Sequence, residues 1–370
     1  MSRIRKIINL VDGVSPVNFG IWHAAVATSS ALSSEYGIES YLVSPTIDNS
    51  FQPHLFPAIK TIQLESVSNE AAITFFKDFN PEDTIVASHG CWRFATKWAG
   101  IAQHLGFAWV YTPHGMLEPW SMGQKRWKKL PYFYLIERRL ARKANLIRAV
   151  GKPEMENLEK HFKEVIHIPN GIYQSELKQP HQNEGPPVFL FLARLHHKKG
   201  IIPLVSAWCA SEIIQSSGAR LEIAGTDDGE KDALESIIAQ NPDKNIRFHG
   251  PVFGKAKEVL MGNAHFYVLP SLSEGFPTSV VEAIGAGLLP LISEGCNFPE
   301  ILSEGAAINT GTSISSIQEA LEKAIGLEQK ELDLMRQKGL KMVEESLVWE
   351  KIASAQVLTF EPLLAQSKKI

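Results

Sequence analysis

Two glutamates, Glu274 and Glu282, stand eight residues apart in SEGFPTSVVEAIGAG, residues 273–287. Ionised carboxylates are pure acceptors, suited to hydroxyl partners. The preceding HFYVLPS reads as a buried strand followed by a loop. Pro277 suits a first helical position, and Gly287 suits the residue just past a helix end. A helix is therefore expected over about Thr278–Ala286. That places Glu274 in the loop before it and Glu282 on its second turn. The backbone N–H groups of Gly275 through Thr278 are then expected to lack intrahelical partners at a positive helix end. Such an end suits a diphosphate. Acids beside a phosphate repel it, so each glutamate is expected to face a sugar, one the ribose and one a transferred sugar. The plainer reading is one capping acid and one incidental acid.

A second group lies in FLARLHHKKG. The strand VFLFLA ends near Ala193, so Arg194 sits at its C-terminal edge and Lys199 opens the next helix. Two cations there can clamp phosphate, although alone they would read as a solvated basic loop. A third group is YTPHGMLEPW, with Thr112, His114 and Gly115 just after a strand. A lone histidine is ordinarily structural, and His23 is read that way. The segment from Gln124 to Lys143, QKRWKKLPYFYLIERRLARK, mixes cations with Trp127, Tyr132, Phe133 and Tyr134. It suits either anionic lipid headgroups or a solvated helix face whose aromatic side chains turn inward.

The elements that must position these residues follow from the pattern. The chain has 370 residues and a formal net charge of -3. That length favours two domains, and that charge gives no global field for nucleic acid. Cys91, Cys209 and Cys296 are far apart, which suits a reducing compartment and no disulfide framework. No apolar run approaches about 18 residues, so no membrane-spanning helix is expected. The N-terminal MSRIRKIINLVDG reads as a first strand rather than a signal peptide, and cytoplasmic residence is the default.

Short β-branched runs alternate with amphipathic stretches: KIINLV, SYLVS, TIVAS, AWVYT, NLIRAV and VIHIP, then VFLFLA, LEIAG, IRFHG, FYVLP, LPLIS and AAINT. Such alternation means βαβ units and parallel sheets. The polar, proline-rich stretch 170–187 reads as a linker. The expected fold is α/β: two doubly wound Rossmann-like domains, residues 1–172 and 187–351, facing a central cleft. Ligands of such sheets sit beyond the C-terminal strand ends.

Together these residues resemble the retaining glycosyltransferases of the GT-B fold, family 4. EGFPTSVVE is similar to that family's paired-glutamate signature, and ARLHHKKG to its Arg/Lys-Gly phosphate motif. LEIAGT, IRFHGPV and PNG follow in the family's order. TPHGMLEPW resembles members that build bacterial surface polysaccharides. The resemblance implies that Arg194 and Lys199 neutralise a donor diphosphate and that Glu282 holds the ribose. Glu274 would contact the donor sugar, helped by the amides of Gly275 and Phe276. Gly250 to Val252 would line the base pocket, and His114 would lie near the anomeric centre. The family's glycine-rich first loop is reduced here to Gly20. The C-terminal helix, about 352–370, would pack back on the first domain.

The implied reaction is retaining transfer of a sugar from a UDP- or GDP-sugar to a hydroxyl of a lipid-linked glycan in bacterial polysaccharide synthesis. No Asp-x-Asp triplet occurs, so no metal and no cofactor beyond the nucleotide-sugar co-substrate is expected. The expected partners are that donor, a glycan or lipid-linked glycan acceptor, and anionic membrane at residues 124–143 on the inner face of the cell membrane. Nucleic acid is not among them. Competing readings are a GT-B epimerase or phosphorylase, or a non-catalytic nucleotide-sugar binder. A nicotinamide dehydrogenase is disfavoured, because GAG at Gly285–Gly287 ends a helix instead of following a strand.

Overall fold

A computed structural model describes residues 3–49, 51–179 and 185–366. The chain divides into two compact units, Met1–Gly171 with Val348–Ile370, and Ile172–Leu347.

In the first unit seven strands form one sheet: β1 (Lys6–Val11), β2 (Glu39–Ser44), β3 (Ile59–Gln63), β4 (Thr84–His89), β5 (Ala108–Thr112), β6 (Leu146–Ala149) and β7 (Val165–His167). Their order is β3-β2-β1-β4-β5-β6-β7, and every pairing is parallel. The sheet reverses its direction of growth between β1 and β4. β4 is buried along its whole length, as a central strand covered on both faces must be. Trp98 and Trp109 are fully buried in this unit.

β3 is absent from the sequence reading. Its IKTIQ holds only two apolar residues, Ile59 and Ile62, and it forms the sheet edge, so it lacks the continuous apolar run that marks a central strand. The C-terminal helix Trp349–Phe360 belongs to this unit. The Thr28 hydroxyl donates to Gln356 Oε1 at 2.9 Å, and Tyr36 and Ser354 share a short hydroxyl contact. The last four residues lie outside the described ones.

The second unit holds β8 (Val188–Leu192), β9 (Arg220–Ala224), β10 (Ile246–Phe248), β11 (Phe266–Leu269), β12 (Leu289–Ile292) and β13 (Ile308–Asn309). The order is β10-β9-β8-β11-β12-β13, again all parallel. Here the reversal falls between β8 and β11. Both units are therefore doubly wound α/β sheets, as the alternation implied.

Part of the stretch read as a linker is structured. Ile172 is buried, Gln174–Glu176 form a 3-10 turn, and the Lys178 N–H donates to the Gly285 carbonyl at 2.7 Å. The apolar side chains of Ile172 and Leu177 pack against the second unit's core, which draws this segment onto it. Residues 180–184 of that stretch lie outside the described ones. No described helix is long and apolar enough to cross a membrane.

Candidate functional site

In the second unit Arg194, Lys199 and Glu274 follow the two strands that flank the reversal. This is where doubly wound sheets take ligands. β8 delivers Arg194 and Lys199, and β11 delivers the loop with Glu274. Lys199 does not open the next helix. It ends a 3-10 turn, His197–Lys199, and the helix begins at Ile201. Gly200 joins them with φ +71, and a Cβ there would lie 2.4 Å from the Pro270 carbonyl. Only glycine permits that approach, which brings the lysine turn onto the strand end.

The turn carries Lys199 to Glu274, 75 residues away. Lys199 Nζ donates to both carboxylate oxygens, at 2.7 and 2.8 Å, and the Ser271 hydroxyl donates to Oε1 at 2.6 Å. Glu274 is 7% exposed. Burial alone would raise its carboxyl, but Lys199, Lys198 and the Ser271 hydroxyl outweigh it and hold it below the usual range. Lys198 escaped the sequence reading, since a lysine next to a motif lysine carries no signal of its own.

Arg194 stands apart from that pair. Its guanidinium meets Asp228 in an ion pair that is half-exposed on both sides. The ammonium of Lys199 has three N–H donors and the guanidinium of Arg194 has five, so both keep donors beyond these pairings.

The helix after the loop runs Thr278–Gly285. Pro277 occupies the position before it, not the first helical one. Pro277 has no N–H, and the Thr278 N–H bonds to the Phe276 carbonyl at 3.0 Å. The expected row of free donors from Gly275 through Thr278 thus reduces to Gly275 and Phe276, whose amides donate to no described residue. Glu282 lies on the second turn and pairs with Lys257 Nζ at 2.7 Å. Lys257 sits on the helix Gly254–Asn263 and was also missed. Gly250 follows β10 with φ +70, its carbonyl accepting from the Gly225 N–H at 2.9 Å. Val252 is half-buried two residues on.

In the first unit His114 follows β5 in a tight turn, with φ +53 at His114 and +74 at Gly115. Glu154 holds that turn. Its Oε1 accepts from the Gly115 N–H at 2.5 Å and its Oε2 from the Val150 N–H at 2.7 Å. Burial pushes the Glu154 carboxyl up to about 7, against the pull of those two donors. Burial, then the Arg148 charge, lower the His114 imidazole to about 3, so it is neutral. Arg148 is itself buried and bonds to the Ile168 and Pro169 carbonyls and to Asn170 Oδ1. Gly20 lies inside the helix Phe19–Val26. A Cβ there would meet nothing within 4 Å, so no close backbone approach in this structure demands glycine.

Among the described residues, no three His, Cys, Asp or Glu side chains group as a metal site would require.

Comparison with known proteins fits this arrangement. Residues 173–342 match the model of glycosyl transferases group 1, and residues 35–175 match that of glycosyltransferase family 4. The chain belongs to glycosyltransferase family 4. One relative of this family 4 chain is the GDP-mannose:cellobiosyl-diphosphopolyprenol alpha-mannosyltransferase of Komagataeibacter xylinus. It is 26% identical over 210 residues, spanning 55% of this chain and 52% of the relative. Another is the 2-deoxystreptamine N-acetyl-D-glucosaminyltransferase of Niallia circulans, 34% identical over 110 residues, 30% of this chain and 28% of the relative. The chain thus spans about half or less of these relatives' length.

Among solved structures, sucrose-phosphate synthase from Thermosynechococcus elongatus matches 98% of this chain and 100% of its own, with TM-score 0.78 and 16% identity. Anabaena HepE, solved in complex with UDP and glucose, matches 97% of this chain and 100% of its own, with TM-score 0.75 and 13% identity. These likenesses establish the GT-B fold for the family 4 chain.

Proposed function

We propose that this chain transfers a sugar, with retention at the anomeric carbon, from a nucleotide-sugar donor to an acceptor hydroxyl. The observation that carries the reading is the buried Lys199–Glu274 pair beside the amides of Gly275 and Phe276, which donate to no described residue. It puts a cation, a fixed acceptor and two backbone donors at one strand end.

In this reading the remaining Lys199 donor, Arg194 and the two amides receive the diphosphate. Such preorganised donors act on charge that develops as the leaving group departs. Glu274, kept ionised by Lys199, accepts from hydroxyls of the donor sugar, and Glu282 accepts from the ribose. Gly250 and Val252 border the base. The bond from the anomeric carbon to the diphosphate breaks and the acceptor oxygen attacks the same face. Its proton passes to a diphosphate oxygen, so Glu274 need not be a nucleophile. Charge neutralisation by these side chains requires no metal and no further cofactor.

The mannosyltransferase relative, by its name, uses GDP-mannose and a diphosphopolyprenol-linked acceptor. It supports a UDP- or GDP-sugar donor and a lipid-linked glycan acceptor in bacterial polysaccharide synthesis. The segment 124–143 supports peripheral attachment to the inner face of the membrane. Trp127 is 74% exposed, and Tyr134, Leu135 and Ile136 are also exposed beside the exposed Lys125, Arg126 and Lys128. Phe133 alone of its aromatic residues is buried.

Thermal melting in the presence of UDP-, GDP- and ADP-sugars tests the donor assignment. A true donor at a hundredfold over its Kd adds about 2.7 kcal/mol of stability and raises the melting point. The absence of any rise with all three classes would reject the assignment.

A further inference from the structure

Within the first unit three side chains form a chain of hydrogen bonds that leads into His114. Asn9 on β1 is 4% exposed and His89, the last residue of β4, is 3% exposed. Asn9 Oδ1 lies 3.1 Å from His89 Nε2, and His89 Nδ1 lies 2.9 Å from His114 Nε2. The two imidazoles stack, with ring centroids 5.2 Å apart.

The protons along this chain can be placed. The Asn9 amide nitrogen donates to the Tyr41 carbonyl at 3.2 Å, so its oxygen faces His89. An amide oxygen only accepts, so His89 Nε2 carries a proton. His89 is neutral, because burial, His114 and Arg148 all disfavour its charge. Its Nδ1 therefore holds a lone pair and must accept. His114 Nε2 then carries the proton it donates, and His114 Nδ1 is left as an acceptor. That atom bonds to no described residue, and His114 keeps part of its surface in solvent.

We propose that Asn9 and His89 are positioning residues that fix the His114 tautomer, so that Nδ1 accepts a hydrogen bond from a hydroxyl of the bound sugar. This rests on the glycosyl-transfer reading for the identity of the ligand, but the tautomer itself does not. The opposite tautomer would offer an N–H at the same place and suit a phosphate or carbonyl oxygen instead. The chain thus selects the chemical class of ligand: a neutral hydroxyl donor, not an anion. Asn9 lies within β1, His89 ends β4 and His114 follows β5, and they meet only through the parallel register, in which His89 pairs with Val11 of β1 and with Thr112 of β5.

The test has two parts. Imidazole nitrogen NMR on the ligand-free full chain at neutral pH should find His89 and His114 both protonated at Nε2 and bare at Nδ1. A proton on His114 Nδ1, or an imidazolium at either residue, would overturn the proposal. The second part measures kcat and KM for UDP-glucose, UDP-N-acetylglucosamine and GDP-mannose in variants that melt like the parent. Asn9→Asp favours a charged His89 and reverses the chain, and His89→Phe deletes it. Each should lower kcat/KM at least tenfold. His89→Gln, which can still accept from His114, should recover most of the loss. Equal losses in His89→Phe and His89→Gln, or no loss in any variant, would overturn the positioning role. If no donor is turned over, the transfer reading fails, while the nitrogen spectrum still decides the tautomer.

Discussion

Lys199 and Glu274, 75 residues apart, form a buried two-point ion pair, with Nζ at 2.7 and 2.8 Å from the two carboxylate oxygens. Their side chains are 14% and 9% exposed. Removing one member of such a pair strands the other's charge, at about 3–5 kcal/mol, whereas removing both costs far less. Lys199→Met should therefore destabilise the second unit by about 3–5 kcal/mol. The double variant Lys199→Met/Glu274→Gln should recover most of that. Denaturant unfolding of the four proteins in the cycle measures it, and additive losses would contradict a coupled pair. The pH dependence follows the same logic. The folded Glu274 carboxyl lies below its unfolded value of 4.5, so its contribution is present above pH 4.5 and is lost as pH falls through the folded value.

Glu154 behaves in the opposite sense. Its carboxyl is raised from 4.5 to about 7, so folding favours the protonated form. That contribution is greatest below pH 4.5 and declines as pH rises to about 7. The bonds run the other way, because a neutral carboxyl accepts more weakly than a carboxylate from the two N–H groups that face it. As pH falls through about 7, the Gly115 amide should lose protection from hydrogen exchange, once corrected for intrinsic rate. Glu154→Gln should remove the pH dependence. Protection of Gly115 that stays constant from pH 8 to 5 in the parent would contradict this.

The exposed cations around Trp127 should bind anionic vesicles. Lys128 lies over the Trp127 ring at 4.6 Å, whereas Lys129 donates to the Ser121 carbonyl at 2.6 Å and is already engaged. Neutralising Lys125, Arg126 and Lys128 removes about 1 kcal/mol each near an anionic surface, about a hundredfold in all. Sedimentation with phosphatidylserine vesicles measures it. Equal binding by parent and triple variant would exclude this surface.

Much of the fold is legible in the sequence. Buried central strands such as TIVAS and VFLFLA are apolar on both faces and declare themselves. The edge strand β3 does not, because Lys60, Thr61 and Gln63 leave IKTIQ no apolar run. The site was legible where chemistry sits in one local motif, as at Glu274 to Pro277. It was illegible where partners meet through the sheet. Asn9 reads as an unremarkable strand residue, and His89 as a strand end. Glu154 reads as a helix surface acid, yet it is 1% exposed and holds the Gly115 turn. Lys257 and Asp228 gave no signal either, since the glutamate and arginine they meet are 25 and 34 residues away in sequence.

The most direct measurement is transfer of labelled sugar from UDP- and GDP-sugars to a diphosphopolyprenol-linked glycan, by the parent chain and by Glu282→Ala and Lys199→Ala. The account predicts product from the parent. It predicts at least a tenfold loss in each variant, about 1.4 kcal/mol of transition-state stabilisation. Near-normal transfer in both variants, or no product from the parent with any donor, would contradict it.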